Sequence, residues 1–277
     1  MRRVTVRGTP FLFAMNDKPQ TALITGASGG IGYELAELFA RDRYNLVLVA
    51  RSGARLSQFA DELQRHYAIS AKSITLDLTW PQAPQSLFDQ LQLSSLHVDI
   101  LVNNAGYGVA GEFARLPLEE DLGMMRLNLV ALTVLTKLFL GPMLARGAGR
   151  ILNVASTAGF QPGPLMAVYY ATKAYVVSFS EALADELKGT GVTITCLCPG
   201  ATDTGFQKRA GTQNSILFEK LRPMDAKAVA RDGYRGLMAG KTLVITGFRN
   251  WLVAESIRFA PRKLVTTISR KLLETSK

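Results

Sequence analysis

The chain has 277 residues, 48% of them hydrophobic and 19% charged, a composition that can bury a large core and argues against disorder. The net charge of +10 is unevenly placed: residues 1–18 carry four basic and one acidic side chain (+3), residues 19–204 carry 13 and 16 (−3), and residues 205–277 carry 15 and five (+10). The slightly acidic centre argues against a built-in nucleic-acid groove, and two histidines, His66 and His97, outside any ligand pattern argue against a metal site.

Residues 1–18 read as a flexible extension. Arg2, Arg3 and Arg7 precede an apolar patch at 10–15 that is too short and too broken for a secretory signal, and Met15 is an alternative start. A single α/β domain is expected over 19–250. Strands are predicted at 21–25, 46–50, 71–76, 100–102, 150–154, 192–197 and 241–246. Helices are predicted at 31–42, 53–67, 84–93, 117–145 (one or two) and 168–188. Strands alternating with helices of ten or more residues imply βαβ units and a doubly wound, Rossmann-type parallel sheet of about seven strands. Near-continuous apolar strands fit a sheet covered on both faces. No uninterrupted apolar run reaches the roughly 18–20 residues of a membrane span. Asn128, Thr133, Thr136 and Lys137 interrupt 127–140, which is expected to be a buried core helix. Cys196 and Cys198 lie two apart on a strand and read as small buried hydrophobes.

The loop Thr25-Gly-Ala-Ser-Gly-Gly-Ile-Gly32 joins the first strand to the first helix. A helix N-terminus offers unpaired N–H groups and partial positive charge to a pyrophosphate, and Gly26, Gly30 and Gly32 let the backbone come close. The spacing differs from the usual Gly-x-Gly-x-x-Gly, and a glycine-rich turn without ligand remains the alternative. The second strand ends in Ala50, Arg51, Ser52, with no carboxylate for an adenosine ribose. Arg51 and Ser52 suit the 2′-phosphate of NADP(H) better than NAD(H).

Tyr169 and Lys173 lie four apart at the start of a predicted helix and share a face. An ammonium beside the phenol is expected to lower its pKa, making Tyr169 a general acid for ketone reduction or base for alcohol oxidation. Tyr170 is a rival by proximity. Ser156 follows the fifth strand at the edge where open α/β sheets bind ligands; a helix-capping role is its alternative.

Together these residues resemble the short-chain dehydrogenase/reductase family in its single-domain form. The matches are Thr-Gly-x-x-x-Gly-x-Gly at 25–32, Asp77-Leu78, Asn103-Asn-Ala-Gly106, Asn128, Ser156, Tyr169-x-x-x-Lys173 and Pro199-Gly200, in the family's order over about 20–204. The resemblance implies a catalytic set of Asn128, Ser156, Tyr169 and Lys173, with Asn128 positioning a proton-relaying water. It implies a cofactor site of Gly26, Ser28, Gly30, Ile31, Gly32, Arg51, Ser52, Asp77 (toward the adenine amino group), Leu78, Asn104, Ala105, Gly106, Tyr169, Lys173, Pro199, Gly200, Thr202 and Thr204. A carbonyl reductase or alcohol dehydrogenase preferring NADP(H), assembled as a homodimer or homotetramer in the cytoplasm, is expected. A non-catalytic NADP-binding redox sensor or membrane-peripheral partner protein, and a sugar epimerase or dehydratase, are the alternatives.

The family's substrate lid falls at about 205–223, where Phe206, Ile216, Leu217 and Phe218 stand among basic residues. They suggest a mostly apolar substrate with an anionic handle. Residues 251–277 form a basic extension in which Leu264, Ile268 and Leu272 share a helical stripe, with Val265 and Leu273 beside it. Packing of this stripe on its own domain or a partner is favoured over peripheral contact of 255–277 with an anionic membrane.

Overall fold

The computed structural model describes residues 19–213, 215–216 and 223–274. The extension at 1–18 and part of the expected lid, including Leu217 and Phe218, lie outside the described residues.

Seven parallel strands form one sheet: β1 (Thr21–Thr25), β2 (Asn45–Ala50), β3 (Ala71–Thr75), β4 (Ile100–Asn103), β5 (Gly149–Val154), β6 (Val192–Cys198) and β9 (Leu243–Ile245), in the order β3-β2-β1-β4-β5-β6-β9. The order reverses between β1 and β4, so the crevice beyond their C-terminal ends is the place where such sheets bind ligands. β7 (Thr202–Asp203) and β8 (Met224–Asp225) make a separate parallel pair above it.

Side chains alternate along each strand, and the alternation sorts them into two cores. Ala22 and Ile24 of β1, Ile100 and Val102 of β4, and Leu152 and Val154 of β5 face the layer of α1 (Gly30–Arg41), α2 (Gly53–Tyr67) and α8 (Ala226–Met238). Leu23, Leu101 and Ile151 face the opposite layer of α3 (Ala83–Leu93), α5 (Leu132–Arg146) and α6 (Ala167–Glu186). The all-apolar strands are thus covered on both sides, as expected of a parallel sheet.

The region predicted as one or two helices at 117–145 is one winding: α4 (Leu118–Met125), a π-helical stretch Arg126–Ala131, and α5. The continuous helix Leu118–Arg146 contains an 18-residue window with a mean hydropathy of 1.7, so by length and composition it passes as a membrane span although polar residues interrupt it. It buries Leu132, Leu135, Phe139 and Met143 against the sheet and serves as a core helix.

Helix α8 has no counterpart among the predicted elements. Asp225 caps it, its carboxylate accepting from Lys227 N at 3.2 Å. Two glycines obscure its apolar pattern, and both are there for packing. A Cβ on Gly233 would stand 2.6 Å from Leu197 Cδ2, and one on Gly236 would meet Val244. The chain continues through α7 (Phe206–Ala210), α9 (Phe248–Ser256) and α10 (Arg262–Leu273). On α10 the inward line is Val265, Ser269 and Leu273, one residue on from the predicted stripe; Leu264 and Ile268 face outward. Cys196 and Cys198 are buried and unbridged, with sulfurs 3.7 Å apart.

Candidate active site

A cleft of about 1200 Å³ opens at the C-terminal edge of the sheet. Its near end is the glycine loop. Gly26 N donates to Val49 O at 2.8 Å, and Gly26 holds φ of 68°, a conformation that favours glycine. A Cβ on Gly32 would sit 2.5 Å from Gly26 O and against the Asn104 amide. No side chain among the described residues caps α1, so its first N–H groups face the cleft with Gly26, Ser28, Gly30 and Ile31. A turn this tight under an open helix N-terminus fits a pyrophosphate.

Thr25 ties this loop to the Asn-Asn-Ala-Gly turn. Its Oγ1 donates to Val102 O at 3.1 Å and accepts from Asn104 N and Ala105 N at 3.0 Å each. Asn104 Nδ2 donates to Thr25 O at 2.9 Å and Gly26 O at 3.2 Å. Asn104 therefore acts as a brace, with Ala105 and Gly106 lining the cleft beside it. Asn103 reaches the other way, donating to Thr136 Oγ1 (3.0 Å) and Asn153 Oδ1 (2.9 Å), and Asn153 donates to Ser180 Oγ at 3.0 Å. This buried polar chain, which no local motif announces, locks β4 and β5 to α5 and α6.

The catalytic candidates converge at the floor. α6 presents Tyr169 and Lys173, both buried, on one face. Lys173 Nζ donates to Val154 O at 2.8 Å and lies 5.8 Å from the Tyr169 ring centroid. Burial pushes the Lys173 ammonium down to about 8, while the Cys196 and Cys198 thiols pull it up. Ser156 Oγ accepts from Ala158 N at 3.1 Å, capping the short 3-10 helix Thr157–Phe160, and lies 3.4 Å from Pro199 O. Its capping role is thus present as well as its place beside Tyr169. The expected lowering of the Tyr169 pKa is reversed within the chain's own groups: burial raises it well above its ordinary value, and the Ser156 hydroxyl offsets only part. The two hydroxyls are neighbours without a well-formed hydrogen bond between them. Tyr170 lines the same cleft, but its hydroxyl neighbours Gln161 and Ser269.

Asn128 sits in the π-helical stretch, a device common at functional sites. Its Oδ1 accepts from Tyr107 N at 3.0 Å, and Nδ2 donates to Tyr107 O (2.8 Å) and Thr172 Oγ1 (3.2 Å). Gly106 lies between Asn128 and Lys173: a Cβ there would be 3.0 Å from Asn128 Oδ1 and 3.6 Å from Lys173 Nζ.

Pro199, Gly200, Thr202 and Thr204 wall the far side. Thr202 Oγ1 donates to Gly200 O at 2.9 Å, and Thr204 Cγ2 comes within 3.0 Å of a Cβ built on Gly30, closing the cleft over the glycine loop. Arg51, Ser52, Asp77, Leu78 and Gly32 lie outside the enclosed walls. Arg51 Nη1 stands 3.9 Å from Asp77 Oδ2, and Asp77 Oδ1 accepts from Thr79 N at 2.9 Å.

Several lining residues carry no sequence motif. Arg55 extends from α2 toward Gly29, 3.8 Å from a Cβ built there. Arg209 stacks on the Tyr107 ring at 4.1 Å. Asn250 packs on Gly200 where a Cβ would stand, and Arg249 and Ile257 bring the C-terminal segment into the wall. Only the folding of residues 248–273 back over the sheet edge makes them neighbours of Tyr169.

The chain matches the short chain dehydrogenase family over residues 20–215. It belongs to that family. The ketoacyl reductase HetN of Nostoc is 37% identical over 190 residues, 68% of this chain and 65% of that one. A very-long-chain 3-oxoacyl-CoA reductase of Phaeosphaeria nodorum is 36% identical over 191 residues, 68% of this chain and 56% of that one. The chain therefore spans less than two thirds of these relatives' lengths. Among solved structures, a short-chain dehydrogenase from Sphingobium yanoikuyae in complex with NADPH superposes with a TM-score of 0.77 at 32% identity, covering 87% of this chain and 94% of that one.

Proposed function

We propose that this short-chain dehydrogenase interconverts a ketone and an alcohol with NADP(H), using Tyr169 as the proton-handling group. The observation that carries the reading is the convergence of Tyr169, Ser156 and Lys173 on the floor of a deep cleft whose other end is an uncapped helix N-terminus. The glycine loop would hold the pyrophosphate, and Lys173 with the 199–204 turn the nicotinamide half. Bound there, the cofactor supplies or accepts the hydride. Arg51 beside Asp77 and Arg55 beside Gly29 would flank the adenosine half, where two guanidinium groups favour a 2′-phosphate.

The chain's own groups do the proton work. Ser156 Oγ orients the carbonyl oxygen. The Tyr169 hydroxyl gives its proton to that oxygen as charge develops. Burial keeps the phenol protonated, which suits donation to a strongly basic alkoxide. In oxidation Tyr169 has to give up its own proton first, aided by the positive charges of Lys173 and an oxidised nicotinamide. Lys173 refills the phenol. Asn128, whose side-chain amide bonds Tyr107 and Thr172, would position the relaying water.

Apolar walls from Met166, Phe206, Val253 and Ile257, with Arg209 and Arg249 as cations, fit a substrate with an apolar body and an anionic group. The 3-oxoacyl thioesters named for the relatives have that character. The test is NADPH consumption with 3-oxoacyl thioesters and bulky ketones. Tyr169→Phe should lower turnover by about 10²–10⁴-fold and change NADPH affinity by no more than about twofold. Full turnover in that variant refutes the role.

A further inference from the structure

The C-terminal segment exposes many large apolar side chains: Phe248 (74% exposed), Trp251, Leu252 and Val253 (54%) on α9, Phe259 in the following turn, and Leu264 (52%) and Ile268 (50%) on α10. Phe248 and Trp251 stack with ring centroids 5.8 Å apart. Arg249, Arg258, Arg262, Lys263, Arg270 and Lys271 are interspersed with them. The two acids of the segment, Glu255 and Glu274, pair locally with Arg258 and Arg270. Six basic and two acidic side chains leave residues 248–274 at +4.

This surface is continuous with the cleft. Phe248 and Val253 are more than half exposed and still line it, so they form its rim; Ile257 and Leu272 line it from the same segment. Helix α10 is anchored by the other face, where Leu273 packs into the cluster containing Tyr107, Met166 and Tyr169. An anchored helix that turns apolar and cationic side chains outward has the make-up of an interfacial element.

We propose that α9 and α10 dock on an anionic lipid surface, so that the mouth of the cleft opens at the bilayer and apolar substrates enter from it. Charge decides between lipid and a second copy. A self-complementary interface would set +4 against +4, whereas anionic headgroups complement the cations while acyl chains cover Trp251, Leu264 and Ile268. The entry route rests on the proposed carbonyl chemistry; the docking does not.

The test mixes the full chain with vesicles of phosphatidylcholine, alone or with roughly a third phosphatidylglycerol. Sedimentation should show binding to the anionic vesicles, little to the neutral ones, and loss as salt rises. Arg262→Gln with Lys263→Gln should weaken partitioning about 30-fold, and Leu264→Ser with Ile268→Ser about tenfold. Neither pair lines the cleft, so both variants should keep the parent's turnover of a small water-soluble ketone. Equal binding to neutral and anionic vesicles, or variants that bind like the parent, would overturn the proposal. So would a particle mass that halves in the Leu264→Ser, Ile268→Ser variant, which would make the face an interface between copies. Vesicle binding without turnover of any ketone would sink the reaction and leave the docking standing.

Discussion

Lys173→Met replaces the buried ammonium by an apolar chain of similar length, and its effect on stability should depend on pH in a defined direction. Burial lowers the Lys173 pKa from 10.5 to about 8. That difference corresponds to about 3 kcal/mol. Below pH 8 the lysine is charged in both states, and the folded protein bears the full cost of desolvating it. Between pH 8 and 10.5 the native state has lost the proton while the unfolded chain still holds it. The unfolded state then binds more protons, so stability rises with pH. Above 10.5 the cost is gone. Lys173→Met removes the charge but leaves Val154 O without its 2.8 Å donor, a loss of about 1–3 kcal/mol at every pH. The two effects nearly cancel at pH 7, so the variant should be about as stable as the parent there. By pH 10 the parent should be ahead by about 2 kcal/mol. Urea unfolding of both proteins without added cofactor, at pH 7, 8.5 and 10, measures this directly, since all other titrating groups are shared. Parallel stability curves across that range would refute the account of Lys173. The same variant should lose at least about 100-fold in turnover.

Thr25→Val removes the oxygen that accepts from Asn104 N and Ala105 N, and should cost about 2–4 kcal/mol, read as a lower denaturation midpoint. Gly32→Ala drives a Cβ to within 2.5 Å of Gly26 O, so calorimetric titration should show NADPH affinity falling by at least about tenfold. Arg51→Ala should raise the Kd for NADPH about tenfold and leave that for NADH nearly unchanged; equal effects on both would remove the 2′-phosphate assignment.

Most of the sheet was legible because a doubly buried parallel strand must be almost wholly apolar, and the seven predicted strands need no long-range information. Helix α8 was not. Gly233 and Gly236 read as breakers in the sequence, and only Leu197 and Val244 beneath them explain why side chains are excluded there. Which line of α10 faces inward is likewise not settled by periodicity. Leu264–Ile268 and Val265–Ser269 are both plausible inner lines by periodicity, and the Tyr169 cluster that receives Leu273 decides between them.

The candidate site divides the same way. Local spacing alone puts Tyr169 and Lys173 on one helix face and the glycines at a helix N-terminus, because helical geometry is a short-range property. Whether burial or charge controls the phenol depends on what surrounds it. Here desolvation raises its pKa, and the Ser156 hydroxyl offsets only part. Arg55, Arg209, Arg249 and Asn250 meet the cleft only through contacts between distant segments, and such contacts leave no pattern in a single sequence. The sequence by itself determined the sheet, the glycine loop and the candidates for the proton-handling residues. The tertiary structure decided the direction of their pKa shifts, the cationic and apolar walls around them, and the surface on which the cleft opens, because each depends on segments far apart in the chain being packed together.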